Sequence, residues 1–448
     1  MKTKILTLLM AVLTIAGTAK AEDHVMAATK AMPAREVPAS LSLSLEEAQD
    51  YAVKANRTLR NAEIAVQQAY AQRWQTIAAM LPQADLSWSY QHLRDSAFNP
   101  YKLDFGPMQM TMPDNTTSIS VSIGLNGQAI VGALLQNVAI DMQKLQFEQS
   151  ENDIRANIIS SYASVLVLQD IVGLLNTSLD NINKLYEMTL RSVEVGAAEQ
   201  TAADQIRVRV NTLRNNINSN KRSIQLAESA LKVLLDVPVT TEITLTTSLK
   251  EMLSVEAIMN LLGEDFIIQN NLNYQLLEKN VDLAKKNVHM AAWAYGPTVG
   301  FGYQYSKPGC LNGEKPFSMS PPHAFAVNFS MPLWSSGKRA AGVVEKKIAL
   351  EEARNTFAET ADNLGIQNQQ LRYNLQNAYE TYLNEQDNIE VTGRVFESVT
   401  NKYNYGSASN LELVNASNDL ISAQSTYVQA VLSLVNAQAE LKKFLNIR

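Results

Sequence analysis

The sequence predicts a mainly α chain with a small β part: two long helical hairpins, four short strands and an internal two-fold repeat. Three observations carry this. Proline is absent between Pro113 and Pro238 and again after Pro332. A helix interior excludes proline, which lacks the N–H and clashes with the preceding turn. Inside these two gaps apolar residues recur every seven positions, and four segments away from the heptad rows alternate apolar with small polar residues.

In chain order, Lys2 and Lys4 precede an apolar run from Ile5 to Ile15, and Ala19-Lys20-Ala21 supplies a small-residue cleavage site. This predicts a signal peptide over 1–21 and hence export. Residues 22–40, with Pro33 and Pro38, read as a flexible leader. No other apolar run is long enough for a transmembrane helix.

A first repeat is expected over 41–235: a helix, strands 83–92 and 117–125, and a hairpin 127–235 turning at Gly196. A connector, 236–270, holds a short Thr-rich extended stretch and a helix, and reads as a belt around the long helices. A second repeat follows over 271–448: a helix, strands 298–305 and 323–331, and a hairpin 335–446 turning at Gly406. Shifting by 215 residues overlays Asn56, Val66, Ala69, Pro82 and Tyr90 on Asn271, Val281, Ala284, Pro297 and Tyr305; shifting by 210 overlays Gly196, Leu231 and Leu235 on Gly406, Leu441 and Leu445. Pro82, Pro297 and Pro332 mark helix–strand junctions.

The heptad rows are Ile158-Val165-Val172-Leu179-Tyr186-Val193, Ala203-Val210-Ile217-Ile224-Leu231, Leu375-Tyr382-Ile389-Phe396-Tyr403 and Leu413-Leu420-Tyr427-Leu434-Leu441. A seven-residue period implies knobs-into-holes packing with a left-handed supercoil. A parallel row, Ala416-Ala423-Ala430-Ala437, lets backbones approach closely. The long arms would reach ~100 Å at 1.5 Å per residue.

The strands put Leu86, Trp88 and Tyr90, or Phe325, Val327 and Phe329, on one face and small or polar residues on the other. Period two with aromatics towards the ends suits a barrel that is apolar outside and wet inside. The strands pair as 83–92 with 117–125 and 298–305 with 323–331, across long loops containing proline. Four strands cannot close a barrel, for which about eight is the usual minimum. An open edge in lipid leaves backbone groups unpaired. The chain must therefore oligomerise, and three copies give twelve strands.

Composition narrows function further. One cysteine, Cys310, excludes a disulfide framework and a cysteine-based zinc site. A net charge of -6 offers nucleic acid no basic footprint. His24, His92, His289 and His323 are scattered, and no H-E-x-x-H, G-x-S-x-G or phosphate-loop pattern occurs. Glu46-Glu47 and Glu351-Glu352 lie on predicted helices, where adjacent residues face different sides, and read as surface. The sequence is expected to belong to no enzyme, and to need no cofactor or metal. Charged residues make up 18% of the chain, against about 25% in typical domains. Helices flanked on both sides by neighbours would account for the shortage.

The stretch Pro332-Leu-Trp-Ser-Ser-Gly-Lys-Arg339, the turn Tyr403-Asn-Tyr-Gly406 before Leu411-Glu-Leu-Val414, and the closing Ala439-Glu-Leu-Lys-Lys-Phe-Leu445 resemble the TolC-like outer-membrane efflux proteins. The resemblance covers about 41–448. It implies a homotrimer with a twelve-stranded β-barrel in outer-membrane lipid and an α-barrel tunnel extending into the periplasm. It also implies two partners, a periplasmic adaptor (membrane fusion) protein and an inner-membrane transporter of the RND or ABC type. Gly196, Ala197, Gly406, Ser407 and Leu411 would then form the tip that docks the adaptor, and Tyr403, Glu412 and Asn415 would line the aperture. Glu412 matches an acidic position of better-known relatives, whereas Asn415 replaces a second one. Glu412 is either a selectivity ring around a three-fold axis or a solvated helix-face residue. Ala202 and Ala408 replace the partners of the familiar closed-state polar lock, for which Asp204 is a candidate substitute.

The resemblance implies a passive exit duct for small molecules in a tripartite pump. A type I protein-secretion duct would use the same architecture. A soluble periplasmic coiled-coil scaffold is the reading from another class.

Overall fold

The computed structural model describes residues 40–91, 102–104, 109–196, 198–311, 313, 315–318 and 321–447. The expected signal peptide, the leader up to residue 39, His24, His92 and Ala197 lie outside them. The chain divides into two units, one comprising Ile64–Lys144 and Leu276–Phe357, the other the stretch ending at Glu63, Leu145–Gln275 and Ala358 onward.

The elements run β1 (Ser40–Leu43), α1 (Leu45–Ala55), α2 (Arg57–Ala78), β2 (Gln83–Tyr90), β3 (Lys102–Asp104), β4 (Gln109–Thr111), β5 (Asn115–Asn126), α3 (Gly127–Glu194) and α4 (Gln200–Leu234). They continue with β6 (Glu242–Leu245), α5 (Leu249–Met252), α6 (Val255–Gly263), α7 (Leu272–Ala292), β7 (Thr298–Gly309), β8 (His323–Ser330), α8 (Lys338–Asn404) and α9 (Asn410–Leu445). Two single 3₁₀ turns, Ile268–Asn270 and Trp293–Tyr295, flank α7.

The first unit holds an antiparallel sheet in the order β2-β5-β7-β8. The predicted pairs form, with Leu86 opposite Ile119 and Phe301 opposite Val327, and β5 and β7 join them along twelve residue pairs. Several bounds differ from the sequence expectation. β5 begins at Asn115 and β7 continues to Gly309, taking Pro308 into a strand. Only β5 pairs with β7 beyond Tyr305, so Pro308 lies where one side of the strand is free, a position that tolerates a missing N–H. The first long loop contains the β3–β4 ribbon. The last long helix starts at Lys338 rather than 335, because Ser336 and Gly337 take positive φ values of 50° and 84°.

Both faces of β2 and β8 are exposed, including Leu86, Trp88, Phe325, Val327 and Phe329. Leu333 and Trp334, just past β8, are 88% and 85% exposed. The turn into α3 is tight. Asn126 Oδ1 accepts from Ala129 N–H at 2.6 Å, and a Cβ on Gly127 would sit 2.2 Å from the Trp293 ring.

The second unit is held by heptad rows. Ile158, Val165, Val210, Ile217, Leu231, Leu375, Phe396, Leu413, Leu434 and Leu441 are all buried. Beyond Val167 the buried rows of α3 become Ile171-Ser178-Leu185 and Leu175-Ile182-Thr189, while Val172, Leu179 and Tyr186 are half-buried beside them. A helix of 3.6 residues per turn drifts ~20° per heptad, which accounts for the change of row. α3 also contains an 18-residue window of mean hydropathy 1.8, which corrects the expectation of no such stretch. Residues of α3 such as Ile158, Tyr162, Val165 and Val167 are buried against other helices of the chain, so core packing explains its apolarity.

The connector is more structured than its sequence indicated. β6 pairs in parallel with β1, Leu43 opposite Leu245. Tyr162, fully buried, donates its hydroxyl to Leu43 O at 3.1 Å and accepts from Thr247 N–H at 2.9 Å. Arg372 of α8 donates to the carbonyls of Leu262 and Glu264 at the end of α6, where a cation suits the helix dipole.

Two asparagines occupy equivalent places. Asn56, 7% exposed, donates to Leu234 O at 2.8 Å and accepts from Thr58 N–H at 2.8 Å. Asn271, 4% exposed, donates to Phe444 O at 2.9 Å and accepts from Asn273 N–H at 3.0 Å. Each caps a helix start while tying down the end of a returning helix.

Candidate functional site

Each of the two hairpin turns of the second unit carries a positive-φ glycine. α3 ends at Glu194, and Gly196 N–H donates to Val193 O at 3.0 Å with φ +74°. α8 ends at Asn404, and Gly406 N–H donates to Tyr403 O at 2.9 Å with φ +72°. No atom lies within 4 Å of a Cβ built on either glycine. The positive φ alone therefore selects glycine at both ends.

After the second turn, Ser407 closes the helix end by donating both its N–H and its hydroxyl to Lys402 O, at 2.9 and 3.0 Å. Ser409 then caps α9. Glu412 N–H donates to Ser409 Oγ at 3.2 Å, and Ser409 N–H donates to Glu412 Oε2 at 2.9 Å. This reciprocal pair satisfies two otherwise orphaned donors and stabilises the helix start by about 1 kcal/mol. The Glu412 carboxylate is thus turned back on its own helix, although it remains exposed. Glu47 and Glu251 form the same box with Ser44 and Ser248. The serine three positions ahead of each acid was the available sequence signal.

Of the other predicted positions, Asn415 is exposed, Leu411 is 68% exposed, and Tyr403 is half-buried against a core containing Leu185, Ile206 and Leu413. Ala202 and Ala408 are half-buried. Asp204 Oδ1 accepts from Gln200 Nε2 at 3.2 Å, within its own helix. One polar link between the two hairpins lies further along: Arg209 Nη1 donates to Asn418 Oδ1 at 2.9 Å, joining α4 to α9. Sequence reasoning missed this pair, because nothing in a heptad row says which flanking residues meet across helices.

The junction prolines each precede or follow a strand by one or two residues. Pro82 stands before β2, where Gln83 Nε2 reaches back to Ala78 O at 2.8 Å and Leu81 O at 2.9 Å. Pro297 stands before β7. Pro332 follows β8, and its carbonyl accepts from Arg339 Nη1 at 2.6 Å while the Arg339 guanidinium lies 5.3 Å from the Tyr295 ring centre. Among the described residues no cluster of His, Cys, Asp and Glu could hold a metal ion.

The described residues present two glycine turns, an exposed apolar sheet face and two sheet edges that pair on one side only. Residues 50–236 and 266–446 match the family described as "Outer membrane efflux protein". The chain is 21% identical over 291 residues to the toxin and drug export protein A of Aggregatibacter actinomycetemcomitans, covering 63% of this chain and 61% of that protein. It is 22% identical over 302 residues to the probable efflux pump outer membrane protein TtgC of Pseudomonas putida, covering 65% and 60%. The chain thus spans about 60% of the length of these curated relatives. Its fold is that of the outer membrane protein VceC of Vibrio cholerae, with a TM-score of 0.69 at 15% identity over 90% of this chain and 95% of that one. The chain belongs to the outer membrane efflux protein family, a TolC-like group, and its place is the outer membrane with its helices in the periplasm.

Proposed function

We propose that this protein is the passive exit duct of a tripartite efflux system, a homotrimer whose three sheets close a twelve-stranded barrel. The observation that carries the reading is the sheet β2-β5-β7-β8, in which four strands present an exposed apolar face and β2 and β8 each pair on one side. In lipid such edges must find partners, and a second and third copy supply them. The matched positions of Asn56 and Asn271, and of the positive-φ residues Gly196 and Gly406, and Asp236 and Asn446, support a duplicated unit over 41–235 and 271–448 with a connector at 236–270.

In this reading the duct performs no catalysis. An inner-membrane transporter of the RND or ABC type supplies energy, and a periplasmic adaptor couples it to the turns at Gly196, Ala197, Gly406, Ser407 and Leu411. Tyr403, Glu412 and Asn415 line the aperture. Glu412, exposed and held in its capping box, brings an acidic side chain to the aperture, which suits a cation-selective ring. The proteins this chain resembles include one named for both toxin and drug export, so a protein-secretion duct is the second reading.

Deleting the gene and measuring drug susceptibility beside the secreted proteome separates the two. Increased susceptibility with an unchanged secretome is the expected result; loss of a secreted protein alone would overturn it. Capture of the adaptor by the wild-type trimer, and its loss in Gly406→Pro and Leu411→Asp variants that still trimerise, is expected. Undiminished capture would move the docking site elsewhere. Recovery of the protein in buffer without detergent would favour a soluble scaffold instead.

A further inference from the structure

The sheet register lines up Leu86, Ile119, Tyr305 and His323 in one row, and Trp88, Thr117 and Lys307 in the next. Cross-strand partners share a face and every second residue returns to it. These residues therefore stand on the apolar face with Phe325, Val327 and Phe329. Ring contacts agree: Tyr303 lies 4.9 Å from Phe325 and Tyr305 lies 5.0 Å from His323, centre to centre. Of the residues that β2, β5, β7 and β8 place on this face, Lys307 is the only lysine, arginine, aspartate or glutamate. It is exposed, and among the described residues it makes no hydrogen bond or ion pair.

Its depth follows from the chain path. β7 is entered from α7 past Pro297, and β8 leads past Pro332 into α8. Thr298 and Ser330 therefore mark the helix end of the sheet, and Lys307 and His323 the opposite end. With the helices in the periplasm, that opposite end meets the outer leaflet. A lysine on the lipid face of a barrel is costly at the midplane and cheap at the interface. Trp and Tyr collect at headgroup level, and Trp88, Tyr90, Tyr303 and Tyr305 surround this position. Lys307 thus stands at the depth of lipid phosphates.

Its neighbours suit a phosphate carried on a sugar. The Tyr303 hydroxyl lies 2.8 Å from His323 Nδ1. With the hydroxyl donating, Nε2 keeps the N–H of the ring, and no described residue accepts from it. His323 is the diagonal neighbour of Lys307, roughly 7–8 Å away, a gap that a lysine side chain and one phosphate group span. On the other side Thr117 stands directly opposite Lys307, and the exposed rings of Trp88 and Tyr90 lie 8° from parallel. Such a pair is a flat apolar surface with polar tips, which fits the face of a sugar ring. We infer that this end of the sheet, given that the sheet is a barrel wall in lipid as proposed above, binds the phosphorylated sugar headgroup of the outer leaflet's glycolipid, lipid A. Lys307 Nζ and His323 Nε2 hold a phosphate, and Trp88 packs beside the sugar.

The delipidated full chain, as the oligomer in detergent, is titrated with diphosphoryl lipid A, with lipid A stripped of both phosphates, and with phosphatidylglycerol. Bound lipid is counted by native mass spectrometry. Saturable binding of diphosphoryl lipid A, tighter than that of either alternative, is expected. Lys307→Gln weakens it about three- to tenfold, and His323→Phe weakens it independently. Lys307→Arg retains it, and Ser306→Gln on the opposite face leaves it unchanged. Phosphatidylglycerol or stripped lipid A binding as tightly as diphosphoryl lipid A would overturn the lipid A site alone. So would binding that neither Lys307→Gln nor His323→Phe moves while the oligomer stays intact. A wild type recovered in buffer without detergent would overturn the barrel reading and the site with it.

Discussion

At the residue scale, Asn56 and Asn271 each combine two jobs that no other side chain of that size joins. The amide N–H₂ donates to the carbonyl of a returning helix, and the amide oxygen caps the start of the next helix. Replacing Asn271 by alanine removes a cap, worth about 0.5–2 kcal/mol, and leaves the Phe444 carbonyl without its donor, about 1–3 kcal/mol. Asn271→Ala is expected to lose about 2–4 kcal/mol in denaturant titrations followed by far-UV circular dichroism. Asn56→Ala, with the same bonds, should fall in the same range. A loss below about 0.5 kcal/mol in both would show that neither bond set matters. The tyrosines of the heptad rows carry a different signature. Burial raises the Tyr427 hydroxyl to about 12, with the neighbouring Tyr382 and Asp170 adding to it, and burial also raises Tyr382. An unfolded tyrosine loses its proton near pH 10. Between about pH 10 and 12 the unfolded chain therefore binds fewer protons than the folded one. Stability from this site is intact below pH 10 and falls as the pH rises towards 12. Tyr427→Phe should flatten that fall, seen as a smaller drop in unfolding midpoint between pH 9 and pH 11 than in the wild type.

At the element scale, the long helices and the four paired strands were legible because each carries many repeats of its own period. Leu434 and Leu441, or Val210 and Ile217, repeat a heptad long enough to be unmistakable. β1, β3 and β4 were not legible, since three or four residues hold at most two turns of a period-two pattern, and β6 was read only as a Thr-rich extended stretch. Ser40-Leu-Ser-Leu alternates, but only its parallel partner at Glu242–Leu245 makes it a strand. The candidate turns were legible from Gly196 and Gly406, whose conformation is local. The Arg209–Asn418 link was not, because it depends on how α4 and α9 are rotated against each other. That link is exposed, so its contribution to folding is small, about 0.5–1.5 kcal/mol at most. Its placement matters more than its strength. It joins the two hairpins thirteen and twelve residues beyond Gly196 and Gly406, and the positions where the family resemblance implies a polar lock hold Ala202 and Ala408. If the ends of the hairpins part when the duct opens, breaking this bond favours the open state. Arg209→Ala is expected to raise single-channel conductance in planar bilayers severalfold while leaving the melting temperature within about 2 °C. Unchanged conductance would assign the pair to surface decoration.

At the scale of the whole molecule, the low charged fraction follows from the company each element keeps. Ala416, Ala423 and Ala430 are buried against neighbouring helices, and positions that an isolated coiled coil would fill with lysine and glutamate hold small or amide side chains. The sheet shows the opposite imbalance, with Phe325 and Val327 83% and 69% exposed. In water an apolar face of that extent drives aggregation; against acyl chains it is at home. The two faces of β8 should then respond in opposite ways to the same charge. Val327→Arg on the apolar face should cost about 2–4 kcal/mol if it reaches the bilayer midplane, whereas Asn328→Arg on the other face would meet water inside the proposed barrel and cost little. Both variants are assayed by the fraction recovered from outer membranes as a detergent-stable oligomer of about three times the 49.5 kDa chain. Val327→Arg should lose most of that band and Asn328→Arg should keep it, with altered ion selectivity. Equal recovery of the two, or a wild-type band at the mass of one chain, would mean that the apolar face is covered by something other than lipid and that the sheet's free edges are closed without further copies.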